Sequence, residues 1–301
     1  MQQFHARLAT LPLVLLLAGT AVGQEAPKPS ATKPVQKHLV RFSFKQGAVR
    51  KSVLEMDMTM TMNMGAKDIV TKTKTSMWTT TTVKAAKGNV ADIENKITRV
   101  KIVADDLVLK VDYDSDVEDS DPGQMEPLAD LVGEATTMKL TDLGKVSEAK
   151  VPDAANGAQA AGVDLNEVLK STVTQLPDHP IAIGETWKVD QEIPLGAMGK
   201  ADGVMHYKLL AVDKKTITLQ QELVLDTSKV QIPGVKEFKM SSKGTSRLDL
   251  MTGSPIEMDM TATTEMSGPM QMNMVMRQRI KPAPKPKKAK KPEAKKAEAG
   301  K

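Results

Sequence analysis

Cysteine is absent from the 301-residue chain. Its absence excludes disulfides, thiolate metal sites, thiol nucleophiles and redox exchange, and leaves the fold to be held by its core alone. Aromatic residues are nearly as scarce, with four Phe, two Trp and two Tyr making up 3% of the chain. So few rings argue against stacking platforms for sugars or single-stranded nucleic acid. Beyond the first 23 residues histidine is limited to His38, His179 and His206. No Gly-x-Ser-x-Gly, His-Glu-x-x-His or phosphate-binding glycine loop occurs. After the N-terminal segment no apolar run approaches the ~20 residues a membrane-spanning helix needs.

The ends carry their own signatures. Residues 1–23, MQQFHARLATLPLVLLLAGTAVG, place Arg7 before an apolar run (Leu8 to Ala18) and then the small residues Ala21 and Gly23. That is the layout of a secretory signal cleaved after Gly23, so the mature protein is expected to be exported, periplasmic or secreted. Residues 24–37 read as a Pro/Lys linker. Lys281–Lys301 holds nine lysines against two glutamates, with four prolines and nothing apolar larger than alanine. Such a segment buries too little to offset its ordering entropy and is expected to be disordered. With Arg7, it accounts for more than the chain's whole +5, and residues 24–280 carry a net charge of −3. The basic character belongs to the tail, so no nucleic-acid partner is expected; the tail's natural partners are anionic envelope polymers or surfaces. A solubilising tail without a partner fits equally well.

Between these ends, Val, Ile and Thr recur with period-2 alternation. Strands are expected near His38–Lys45, Ala48–Met64, Asp68–Ala85, Val90–Val103 and Leu107–Tyr113, then in MKLTDLGKVSEAKV (138–151). Further strands are expected over Thr186–Ile193, Gly203–Val212, Thr216–Asp226, Val235–Leu250, Ile256–Met266 and Met270–Ile280. Short turn signals between them imply antiparallel hairpins. Two helices are expected. One covers Gln124–Glu134 behind Asp121-Pro122, and the other covers Asp164–Thr174, with Asp164 as cap and Glu167 at the capping-box position. The expected architecture is mainly β (α+β): long antiparallel meanders forming a curled sheet or half-barrel with two short helices. An N-terminal β-rich unit spans 38–152, a small-residue linker 153–162, and a C-terminal β-rich unit 163–280.

Three short segments carry a resemblance: YDS at 113–115, the LGKV turn at 143–146, and LPDHPIAIGETWKV at 176–189. Together they resemble an uncharacterised family of exported bacterial β-rich proteins, whose pattern ends in Leu-Pro-x-x-Pro-Val-x-x-Gly-x-x-Trp. This chain departs from it with Ile181-Ala182-Ile183 in the Val-led stretch. More distantly, the signal and meander are similar to the half-barrel lipoprotein carriers of the bacterial envelope, which is an architectural analogy.

Methionine supplies the one unusual pattern. Thirteen of twenty fall in two clusters, 56–64 and 251–276. Met56, Met58, Met60, Met62 and Met64 alternate with Asp57, Thr59, Thr61 and Asn63, and Met270, Met272, Met274 and Met276 alternate likewise. The pattern predicts strands with one apolar and one polar face. A Met face is either plain core or, because Met adapts its packing, the lining of a site for lipid-like ligands. Thioethers also select Cu(I), but residues i and i+2 on a strand lie about 6.7 Å apart, so any metal must be shared across strands, for example by Met60 or Met62 with Met272 or Met274.

Other motifs resolve to bland readings. Asp112, Asp114 and Asp116 mimic the start of a calcium loop, but Val117 and Gly123 stand where Gly and Glu are required. Ser147-Glu-Ala-Lys150 follows a hairpin turn and has none of the companion motifs of penicillin-recognising enzymes. Trp187 reads as a core aromatic. No catalytic set and no cofactor site emerge, and the expected function is non-enzymatic: an envelope or periplasmic protein binding an apolar, lipid-like ligand or an envelope component. The alternatives are a Met-based Cu(I)- or Ag(I)-binding protein and a structural protein anchored by its tail.

Overall fold

The computed structural model describes residues 35–63, 67–105, 110–152, 173–194, 200–227, 235–268 and 271–284. The signal segment, the 153–162 linker, most of the helix expected over Asp164–Thr174, Met64, Met270 and the tail beyond residue 284 lie outside the described residues.

The first half contributes β1 (Lys37–His38), β2 (Val49–Asn63), β3 (Asp68–Lys87), β4 (Val90–Asp105), β5 (Lys110–Asp114), β6 (Ala135–Thr141) and β7 (Val146–Lys150). The second contributes β8 (Ile181–Ala182), β9 (Thr186–Pro194), β10 (Lys200–Val212), β11 (Thr216–Asp226), β12 (Glu237–Asp249), β13 (Pro255–Ser267) and β14 (Gln271–Pro282). Twelve of these strands form one antiparallel sheet in the order β7-β6-β4-β3-β2-β14-β13-β12-β11-β10-β9, with β5 beside β4. Strand β4 is long enough for two neighbours, β6 along Val90–Lys96 and β5 along Lys101–Asp105. The two sequence units therefore share one sheet, joined where β14 pairs with β2 over twelve residues. The edge strands β7 and β9 do not pair with each other, so the sheet is not closed into a barrel.

Two expected elements differ. Over Gln124–Glu134 the chain makes only a 3-10 turn, Gly123–Met125, and one helical turn, α1 (Glu126–Ala129). Neither has a side-chain cap, and Gly133, at φ +89°, turns back to donate its N–H to the Ile97 carbonyl. Over His38–Lys45 only His38 is strand, as the end of β1, paired with β8. Beyond it the Phe42 N–H bonds the Asp142 carbonyl, while the Ser43 and Lys45 N–H groups bond Leu250 and Met251. These acceptors sit in turns of two separate hairpins, so the segment crosses the sheet as a strap and cannot join a ladder. At the other end, β14 continues through Lys281 and Pro282, two residues expected to belong to the tail.

One face of the sheet holds the core. Its proximal half lies near the β3–β4 and β12–β13 turns. There the strap buries Val40 and Phe42 against Trp187, Tyr207, Leu209, Leu219 and Leu248, and Phe44 reaches a neighbouring cluster around Val83, Ile93 and Leu140. Two of the three resembling segments, 143–146 and 176–189, meet here, while Tyr113 of the third packs with Val100 and Ile102 in a separate cluster. The Leu176 N–H donates to Leu143, and the Trp187 indole donates to the Gln175 carbonyl at 3.0 Å. A Cβ on Gly144, at φ +81°, would lie 2.0 Å from the Thr174 carbonyl oxygen, so only glycine fits this crossing.

Candidate functional site

In the distal half the register places methionine against methionine. Met62, Met60 and Met58 of β2 face Met272, Met274 and Met276 of β14, and Met56 faces Gln278. The same rows extend on both sides. The first reads Ile69–Met62–Met272–Met266–Phe238, and the second Thr71–Met60–Met274–Thr264–Met240. The third reads Thr73–Met58–Met276–Ala262–Ser242, the fourth Thr75–Met56–Gln278–Met260–Gly244, and the fifth Met77–Leu54–Ile280–Met258–Ser246. Five strands and five rows cover roughly 19 by 27 Å, from the standard strand and residue spacings. No position in this block is charged.

The opposite face is an ion-pair ladder. Arg277 forks onto Asp259 at 3.0 and 2.5 Å, Arg279 pairs with Asp57, Lys281 with Glu55 and Arg247 with Glu257. The Arg277 hydrogen bonds hold the Asp259 carboxyl below the usual carboxylate range. These exposed pairs contribute little stability each, but they fix which face meets water. A one-residue slip would turn the charges inward, so they also fix the register.

The Met block is not packed like the core beside it. Met56, Met58, Met60, Met62, Met272, Met274 and Met276 are all half-buried. Among the described residues they belong to none of the four hydrophobic clusters. One of those clusters flanks the block on β4 and β5, where Leu128 and Ala129 of α1 pack against Val100, Ile102 and Tyr113. Another flanks it on β10 and β11, around Ala201, Leu223 and Leu225. Thr71 and Thr73, buried on β3 beside Met60 and Met58, have hydroxyls without a hydrogen-bond partner.

Of the nine methionines singled out from sequence, seven are brought together; Met64 and Met270 lie outside the described residues. Sequence reasoning did not include Met266, Met240, Thr71, Thr73 and Thr75 in the site. The signal for the threonines is present in KTKTS (72–76), where lysine and threonine alternate. Both residues are polar, so hydropathy alone conceals the buried side.

The other sequence candidates are structural. Asp114 accepts two hydrogen bonds from Arg99, at 2.9 and 2.6 Å, and the Arg99 guanidinium stacks 4.4 Å over the Trp78 ring. Those bonds hold the Asp114 carboxyl below its ordinary range and raise Arg99. Ser120 accepts the Asp114 N–H and closes the acidic turn, and Ser115 accepts the Val100 N–H and ties the turn to β4. Among the described residues no group of His, Cys, Asp or Glu is arranged to hold a metal ion. No helix there is long and apolar enough to cross a membrane, which says nothing of strands.

The chain matches no protein-family model and no curated protein. Among solved structures it is distantly similar to one described as lipid–protein interactions in lipovitellin. The identity there is 12%, the TM-score 0.48, and the match covers 82% of this chain and 27% of that one. It is also similar to DynF from the dynemicin biosynthesis pathway of Micromonospora chersina, at 9% identity and a TM-score of 0.23, over 87% and 92% of the two chains. The chain thus spans about a quarter of the lipovitellin chain, and these likenesses assign no family.

Proposed function

We propose that the protein is an exported, non-enzymatic binding protein whose Met-lined distal face takes an amphiphile with an acyl chain. The observation that carries this reading is the in-register set of seven methionines on β2 and β14, half-buried, with no charged residue in their rows and outside the hydrophobic clusters. The block has a footprint of roughly 500 Å² from the same strand and residue spacings, long enough to seat an extended acyl chain. Methionine suits a ligand of variable chain length because its unbranched thioether repacks without a fixed shape. The unpartnered hydroxyls of Thr71 and Thr73 would offer hydrogen bonds to an ester or carboxyl oxygen on the same ligand. The basic tail, beginning just after β14, would hold the protein near anionic envelope surfaces.

The test is direct. The full chain is titrated with cis-parinaric acid, whose fluorescence rises in an apolar site. Binding is expected at micromolar concentration or tighter. Met60→Glu with Met274→Glu should weaken it by about tenfold or more, since a ligand would have to bury carboxylates. Thr59→Glu, on the exposed opposite face beside Val275, should leave it unchanged. No binding to the parent protein, or equal weakening by both changes, overturns the reading.

A further inference from the structure

The distal rim of the block carries a chemistry that acyl-chain binding does not need. Met62, Met272 and Met266 stand directly beside one another on β2, β14 and β13. Facing side chains on antiparallel neighbours have Cβ atoms about 4.5–5.5 Å apart. Each thioether lies at the end of a flexible chain, so the three sulfurs can meet above the middle strand. The next row places Met60 and Met274 behind them. The charges Asp68, Glu237, Lys239 and Glu265 at this rim line a cleft on the opposite face, because each stands one residue out of phase with the Met row. On the Met face the three thioethers have neutral neighbours.

We propose that Met62, Met266 and Met272 form a three-sulfur site for a soft monovalent cation, Cu(I) or Ag(I). Neutral thioethers discriminate in favour of such ions and against Zn²⁺, Ca²⁺ and Mg²⁺, which prefer imidazole, thiolate or oxygen donors. Thioethers hold no proton at ordinary pH, so binding needs no proton release and is flat across pH 5–8, unlike a site of thiolates or imidazoles. The inference is independent of the acyl-chain reading and is tested on ligand-stripped protein.

Two measurements on the full chain test it. First, Ag(I) is added to protein carrying [¹³C-methyl]methionine. The methyl signals of Met62, Met266 and Met272 should shift together and saturate at one equivalent, while that of Met138, buried in the proximal core, should not move. Second, Cu(I) is titrated without oxygen against a competing chelator. The volume-conserving variant Met62→Leu/Met266→Leu/Met272→Leu should bind about tenfold more weakly or worse, and Met56→Leu/Met58→Leu, at the far end of the ladder, should bind like the parent. Uniform small shifts of all methionine methyls, or equal losses in both variants, overturn the proposal. So does Cu(I) affinity that collapses between pH 8 and 5. Because the first measurement uses the unaltered chain, misfolding of a variant cannot mimic failure.

Discussion

The proximal and distal halves of the same sheet face are built from different materials. In the proximal half Leu209, Leu219, Ile217 and Val83 are 0–1% exposed, and two aromatic rings, Trp187 and Tyr207, stack 5.1 Å apart beneath the strap. In the middle of the distal half, between its two flanking clusters, the same strands continue as methionine and threonine. The methionines of β2 and β14 are half-buried, and the buried hydroxyls of Thr71 and Thr73 have no hydrogen-bond partner. Branched and aromatic side chains have few rotamers and interlock. Methionine has many and specifies little. The difference teaches that this sheet is held together at one end and kept adaptable at the other. Stability is concentrated in one stretch of these strands, and the binding proposed above falls to the other.

The sharpest way to break the comparison is to make equivalent truncations in each half. Leu219→Ala, at a site with 0% exposure, should destabilise the protein by about 3 kcal/mol through lost transfer energy plus a residual cavity. Met60→Ala should cost under about 1 kcal/mol, because its side chain is already half in water and its neighbours can repack. Urea denaturation monitored by Trp fluorescence reads both. Equal costs would mean that the Met block is ordinary core.

Oxidation offers a second, milder contrast. Dilute hydrogen peroxide should convert the half-buried Met60, Met272 and Met274 to sulfoxides several-fold faster than Met138 at 6% exposure. Peptide mass spectrometry gives the rates residue by residue. The oxidised protein should keep its strand content but lose parinaric acid binding, since sulfoxides make the face polar. Retention of binding after oxidation of the ladder would place the ligand elsewhere.

The sequence made much of this legible because strand alternation is a strong signal. Thr216–Asp226 matches its expected bounds at both ends, and the Met runs announce their polar and apolar sides. What it could not convey was partnership. That β14 pairs with β2 is a contact between residues more than two hundred positions apart, and no local period encodes it. Nor could periodicity reveal the strap. HLVRFSFK alternates like a strand, but its N–H groups are claimed by Asp142, Leu250 and Met251, which only the folded sheet brings within reach. The buried threonines of β3 escaped for a third reason. Burial of a hydroxyl depends on what the neighbouring strand presents, and Met58 and Met60 come from another strand.

The smallest effect is read by the two tyrosines, which report one from each half. Tyr207, in the proximal core, has its phenol pushed up to about 12 by burial, with a backbone hydrogen bond at Gln175 opposing the shift. Tyr113, on the distal flank near α1, is also raised, by burial first and then by the charges of Asp114 and Asp130. An unfolded tyrosine ionises near pH 10. Both phenols therefore favour the folded state fully below that value, and their contribution is lost as pH rises from about 10 through the folded values. Alkaline titration followed at the phenolate absorbance should show no tyrosine with the ordinary value, with Tyr207 ionising last, near the onset of unfolding. The Tyr113→Phe variant isolates the Tyr207 step. If that step appears near pH 10, water reaches Trp187 and Tyr207, and the proximal half is no better sealed than the distal one.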